Sequence, residues 1–225
     1  MSRRGVLAAG AAVLLGGAVG GVGAATRDPD EGVTAPEDLM KEHGVLNRCL
    51  LLYEEGLRRL GTREGVSPAV FIHTAGLIRH FVEEYHEKNE EQFIFPVFER
   101  SGKLVDLVKT LRTQHKAGRA VTTRVLSLAG AGTFRDREHQ RELSSAVRSF
   151  IRMYRPHEAR EDTVLFPALR TLLSPAQVLS LGQHMEESEH KVLGNEGFEK
   201  SVAQVAALEK QLGIDNLASF TPKGV

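Results

Sequence analysis

One eleven-residue phrase occurs twice in this chain. His86 to Pro96 reads HEKNEEQFIFP, and His157 to Pro167 reads HEAREDTVLFP. In both copies a His is followed by Glu at the next position, by another Glu four residues on, and by Phe-Pro nine and ten residues on. On an α-helix, positions four apart share one face at roughly 5–6 Å, and their side chains lean along the same stripe. His86 with Glu90, and His157 with Glu161, therefore form two pairs, each able to grip one ion. Ile78 and Val82 extend the line of His86 at steps of four, with Phe81, Tyr85, Phe93 and Val97 beside it, so the pair points inward. A buried carboxylate without a partner is costly, and a metal ion relieves that cost.

The punctuation between these phrases is helical from Thr34 onward. Thr34-Ala-Pro-Glu37 is a capping box with Pro in the first turn, which starts a helix over about 36–60 that Gly61 stops. Ser67-Pro68 starts a second, carrying His86 and Glu90 and expected to end near Phe95-Pro96. A third, over about 103–128, carries His115 and closes at Gly130-Ala-Gly132; Thr133 is read as the cap of a fourth, which reaches His157 with a bend at Pro156. Ser174-Pro175-Ala-Gln177 is a further capping box opening a fifth helix to about Leu193, and a short sixth follows near 198–212. No stretch alternates like a strand. The expected fold is all-α, an antiparallel up-down four-helix bundle with additional C-terminal helices. Its expected divisions are an export signal or anchor at 1–25, a linker at 26–33, the bundle at 34–172 and a helical extension at 173–225.

Composition excludes several classes. With 29 acidic and 29 basic residues the chain gives no support for a nucleic-acid partner. The single Cys49 excludes an internal disulfide and any CxxC motif; in the apolar run 46–52 it reads as a buried filler. The N-terminus is separate: Arg3-Arg4 precede a Gly-rich apolar run ending near Ala25-Thr26, which resembles a twin-arginine export signal. The expectation is an extracytoplasmic or periplasmic protein, touching a membrane only if that segment stays uncleaved as an anchor. No protein partner is inferable.

The remaining histidines complete the pattern. His43 lies 43 residues before His86, and His115 lies 42 before His157. A lone-His helix followed by a HisxxxGlu helix is thus repeated at a period of about 71 residues. This resembles the hemerythrin family, specifically its broad His-His-Glu cation-binding branch, over roughly residues 36–170. The resemblance implies a hemerythrin-like bundle with a metal set of His43, His86, Glu90, His115, His157 and Glu161, around two iron ions, with manganese as the alternative. The donor chemistry agrees, since imidazole and carboxylate without thiolate argue against a structural zinc site. Glu87, Glu158 and Asp162 are further candidate oxygen ligands. Tyr85 and Tyr154 are candidate hydrogen-bond donors to the site, or plain core. His73 and His80 should face away from it, His139 should be exposed, and His184 and His190 in QHMEESEH offer at most a weak second patch.

One departure from the oxygen carriers of this family matters. Their third helix supplies two histidines four apart, whereas position 119 here is Arg. Reversible oxygen carriage by their asymmetric site is therefore not assumed. The expected function is a non-haem di-iron protein that binds, senses or scavenges a small oxidant, O2, peroxide or NO. The alternatives are a di-iron oxidase, peroxidase or ferroxidase, and an iron store without turnover. No nucleotide loop or nucleophile constellation is visible, so any enzymology would be the metal's own.

Overall fold

The computed structural model describes residues 34–130 and 134–224. The expected export signal and linker, and the cap expected at Thr133, lie outside them. Among the described residues there are no strands, and no helix is long and apolar enough to cross a membrane.

Helix α1 (Ala35–Arg59) opens on the expected box, the Glu37 carboxylate accepting from both the backbone N–H and the hydroxyl of Thr34 at 3.1 and 2.9 Å. Helix α2 (Pro68–Leu77) begins with the Ser67 hydroxyl capping Ala69 N–H. It runs on through a π-helical segment Ile78–His86, a single α turn α3 (Glu87–Asn89), a second π segment Glu90–Ile94, and α4 (Phe95–Ser101). Helix α5 (Val105–Ala129) follows. Helix α6 (Arg137–Arg160) is capped by Asp136, whose carboxylate accepts from Glu138 and His139 N–H. It runs into a third π segment, Glu161–Leu165, and then α7 (Phe166–Leu172). Helix α1, the α2 run, α5 and the α6 run close a ring, each packed on the next, which is the arrangement short connections between antiparallel neighbours impose.

One boundary differs from the sequence reading, and it involves proline. The helix expected to end near Phe95-Pro96 does not stop there; Pro96, like Pro167 in the second copy, sits in the first turn of a following helix, α4 and α7 respectively. In each copy a π turn starts at the motif Glu, with Phe95 N–H bonding Glu90 O and Phe166 N–H bonding Glu161 O. The wider turn supplies a fresh helix start, where a residue without N–H is tolerated. Pro156 lies inside α6 without ending it.

The extension is a hairpin of α8 (Pro175–Val192) and α9 (Gly197–Leu212) laid along α1 and the α2 run, on the side of the bundle. Leu181 and Met185 of α8 enter one apolar cluster with Leu39, Phe95, Leu111 and Phe166. Val205, Leu208 and Leu212 of α9 enter the other, with Tyr53, Phe71, Phe81 and Phe150. Between these two clusters lies a polar layer. His43 sits between Leu39 and Leu46 on α1, and His115 between Leu111 and Val125 on α5, all of them buried.

Candidate metal centre

The polar layer is built from both copies of the phrase and both lone histidines. Glu90 Oε2 lies 3.7 Å from His86 Nε2 and 3.4 Å from His115 Nε2. Glu161 Oε2 lies 3.2 Å from His157 Nε2 and 3.4 Å from His43 Nε2. Each motif carboxylate therefore stands between the histidine of its own helix and a lone histidine of the other half. Two overlapping donor groups result, His43–His86–Glu90 and Glu90–His115–His157–Glu161, each with ligand atoms within 4.8 Å of one another. The structure brings all six expected residues together, and Glu90 belongs to both groups.

The polar atoms of this layer are short of partners. His43 Nε2 and both carboxylate oxygens of Glu90 and of Glu161 are buried with no hydrogen bond, although each carboxylate has imidazole nitrogens within 4 Å. An orphaned buried carboxylate loses its hydration without return. Two of them facing each other, ringed by imidazoles whose Nε2 atoms converge, fit cations and fit little else.

The far nitrogens are all held. His43 Nδ1–H donates to Asp162 at 2.7 Å, His86 Nδ1–H to Glu42 at 2.6 Å, His115 Nδ1–H to Glu91 at 3.2 Å and His157 Nδ1–H to the Gln114 carbonyl at 2.9 Å. With Nδ1 held on the outside, Nε2 is the atom each ring presents inward, the usual orientation of a ligating imidazole. These partners also repeat. Glu42 and Gln114 each precede a lone His and serve the motif His of the same half; Glu91 and Asp162 each follow a motif Glu and serve the lone His of the other half. The Phe of each Phe-Pro joins the scheme, Phe95 stacking on His115 at 5.4 Å and Phe166 on His43 at 5.7 Å.

Protein charges alone leave the layer strained. Burial and the neighbouring Glu161 hold Glu90 well above the usual carboxylate range. Burial also acts on Glu161, but the adjacent His157 and His43 outweigh it and keep that carboxyl low. Burial opposes protonation of His43 too, and is overcome by Asp162 and Glu161, which raise it well above the ordinary histidine value. His86 and His115 are pushed down to about 3 and about 4, chiefly by burial.

The other candidates point elsewhere. Asp162 bonds the far side of His43. Glu87, pushed up by burial to about 8, accepts from the Tyr154 hydroxyl at 2.5 Å and pairs with Arg119 at 2.7 Å. Glu158, likewise raised to about 8 by burial, accepts from Asn47. Arg119 and Asn47 occupy the same place in the two halves, four residues after the lone His. The position that holds a fifth His in the oxygen carriers thus holds a guanidinium 2.7 Å from both Glu87 and Glu91. Glu87, Glu91 and His115 also form a ligand-type cluster, and Arg119 takes a cation's place there. Tyr85 reaches the site at one remove, through Glu42 at 2.8 Å. His73 and His80 are exposed, His80 pairing with Glu84 at 3.2 Å. His139 is half-buried rather than exposed and lies beside Asp136 at 3.2 Å. His184 stacks on Phe93 at 6.0 Å, and His190 lies 3.2 Å from Asn195, with no metal-type cluster around either among the described residues.

A helical bundle with a buried histidine–carboxylate layer shared between two sequence halves defines a cation-binding bundle protein. A family model described as Hemerythrin HHE cation binding domain matches residues 34–169 and again 106–212. The chain belongs to this family, whose members bind metal. It is 46% identical over 197 residues to uncharacterized proteins of Mycobacterium bovis and of two Mycobacterium tuberculosis strains, covering 88% of this chain and 77% of each relative. No solved structure matches it significantly.

Proposed function

We propose that this protein is a non-haem di-iron protein that binds or scavenges a small oxidant, O2, peroxide or NO, outside the cytoplasm. The observation that carries the reading is the convergence of five unpartnered buried ligand atoms, His43 Nε2 and the four carboxylate oxygens of Glu90 and Glu161. His43 and His86 would hold one ion, His115 and His157 the other, with Glu90 and Glu161 between them. Four imidazoles and two carboxylates without a thiolate suit iron, and after it manganese. When bound, the ion pair would supply an electron source and open coordination positions for a small molecule.

The protein's own residues set the limits. No ligand residue is more than 4% exposed, so the partner molecule is a few atoms in size. The apolar clusters on either side exclude bulk water, and the Nδ1 hydrogen bonds keep each ring in place. Arg119 is turned to Glu87 and Glu91, which leaves the third helix with His115 alone and argues against carriage by a five-histidine site. The extracytoplasmic location rests on Arg3-Arg4 and the apolar run that follows.

Elemental analysis of anaerobically purified full-length protein tests the reading. Two iron atoms per chain are expected, falling below one in Glu90→Ala/Glu161→Ala; metal content unaffected by the double substitution would overturn it. Visible absorption followed through air or peroxide addition and removal then separates a reversible binder from a scavenger. Export of a signal fusion, abolished by changing Arg3 and Arg4 to Lys, tests the location.

A further inference from the structure

The two halves of the centre repeat in position but not in charge. Around His43 and His86 the outer partners are two carboxylates, Asp162 at 2.7 Å and Glu42 at 2.6 Å. Among the described residues, neither carboxylate forms an ion pair with a Lys or Arg; Glu42 accepts one further bond, from the Tyr85 hydroxyl at 2.8 Å. Around His115 and His157 the partners are Glu91 and Gln114. The Glu91 oxygen that faces His115 at 3.2 Å also accepts from Arg119 at 2.7 Å, and its other oxygen accepts from Lys88 at 2.9 Å. The Gln114 carbonyl, 2.9 Å from His157, carries no charge.

A carboxylate on the far nitrogen makes an imidazole a more basic ligand and adds negative charge towards the ion. The first pair of histidines receives two such carboxylates. The second receives one, already paired with two cations. Resting on the di-metal reading above, we propose that the chain loads its two cations in order: first and more tightly between His43 and His86, then more weakly and exchangeably between His115 and His157. Glu42, Gln114 and Arg119 set the difference. They act through the ligands as positioning residues and do not touch the ion.

Anaerobic titration of the metal-free full-length protein with Co(II), by calorimetry and visible absorption, tests this without any turnover assay. Two steps at least about tenfold apart are expected. Glu42→Gln should weaken the tighter step by about 10–100-fold and spare the other. Gln114→Glu, nearly isosteric, should strengthen the weaker step and draw the two together. Two steps of equal affinity that neither substitution moves, or Glu42→Gln acting on the weaker step, would overturn the ordering while leaving the di-metal reading intact. No cobalt uptake, or uptake unchanged in Glu90→Ala/Glu161→Ala, removes the di-metal reading and the ordering with it.

Discussion

Asp162 Oδ1 lies 2.7 Å from His43 Nδ1, so a residue in the π segment just past α6 orients a histidine on α1. The sequence distance is 119 residues, and only the closed ring of helices brings the two together. Replacing Asp162 by Ala frees the His43 ring to rotate and removes a negative charge behind it. The expected outcome is a loss of about 10–100-fold in affinity for the tighter ion, with two ions still bound at saturation. Competition with a calibrated chelator measures it. Unchanged affinity would show Asp162 to be a bystander at the surface.

Gly118 faces Tyr154 so closely that a Cβ there would sit 2.8 Å from Tyr154 Cζ and nearer still to its hydroxyl. Tyr154 is buried and tied to Glu87, so it has nowhere to retreat. Gly118→Ala should destabilise the protein by about 1–3 kcal/mol through overpacking. Adding Tyr154→Phe removes the clashing oxygen, so the double variant should lose less than the sum of the singles. Denaturant unfolding of the four proteins closes the cycle, and strict additivity would exclude the contact.

Much of this arrangement was legible in the chain because it is periodic. The HisxxxGlu pairs lie on a helical face by spacing alone, and the lone histidines stand at matching distances, so the six converging residues could be named. The outer partners repeat as well, but their roles do not follow from spacing. Glu42 and Gln114 precede the lone histidines and Glu91 follows a motif glutamate without any signal of direction, while Asp162, read as a candidate oxygen ligand, turns out to bond the far nitrogen of His43. The helix end expected near Phe95-Pro96 lies elsewhere for a related reason: proline usually marks a boundary, and nothing local announces the π turn that lets Pro96 begin a new helical segment. The side-on docking of α8 and α9 depends on long-range apolar contacts such as Phe198 with Phe81, 6.2 Å between rings, which no local pattern encodes.

Cys49 should behave as core, not as a thiol reagent. It is fully buried on α1, and burial raises its pKa from 9.0 to about 12. The folded value lies above the unfolded one, so the stabilising contribution is complete below about pH 9 and is lost as pH rises towards 12. Native protein at pH 8 should resist iodoacetamide for hours, whereas denatured protein should label within minutes. Mass spectrometry of the alkylated protein distinguishes the two, and rapid labelling of the native form would contradict the burial.

The α9 helix is fastened to α1 by a two-pronged bond, Arg48 Nε and Nη2 donating to the two oxygens of Glu209 at 2.8 and 2.6 Å. Both side chains are partly exposed, at 31% and 12%, so solvent screens the pair and its removal should cost only about 0.5–1 kcal/mol. The loss should be local. Glu209→Ala is expected to speed amide exchange in α9 while leaving metal content and exchange in α5 and α6 unchanged. A parallel loss of metal would mean that the extension supports the centre directly.

The centre itself should lower the stability of the metal-free chain, because Glu90 and Glu161 sit buried with none of their four oxygens in a hydrogen bond. A buried polar group left without a hydrogen bond costs about 1–3 kcal/mol, and a neutral side chain of the same shape that finds a partner recovers part of it. Glu90→Gln/Glu161→Gln supplies amide N–H groups beside acceptors such as His115 Nε2, which lies 3.4 Å from Glu90 Oε2. In chelator the double variant should therefore unfold at a higher temperature than the wild type. Added iron or cobalt should reverse the ranking: a ligand at 100 times its Kd stabilises the wild type by about 2.7 kcal/mol, and the variant gains little. Thermal melts of both proteins with chelator and with metal decide it. A double variant less stable than wild type in chelator would mean that the six side chains satisfy one another without an ion.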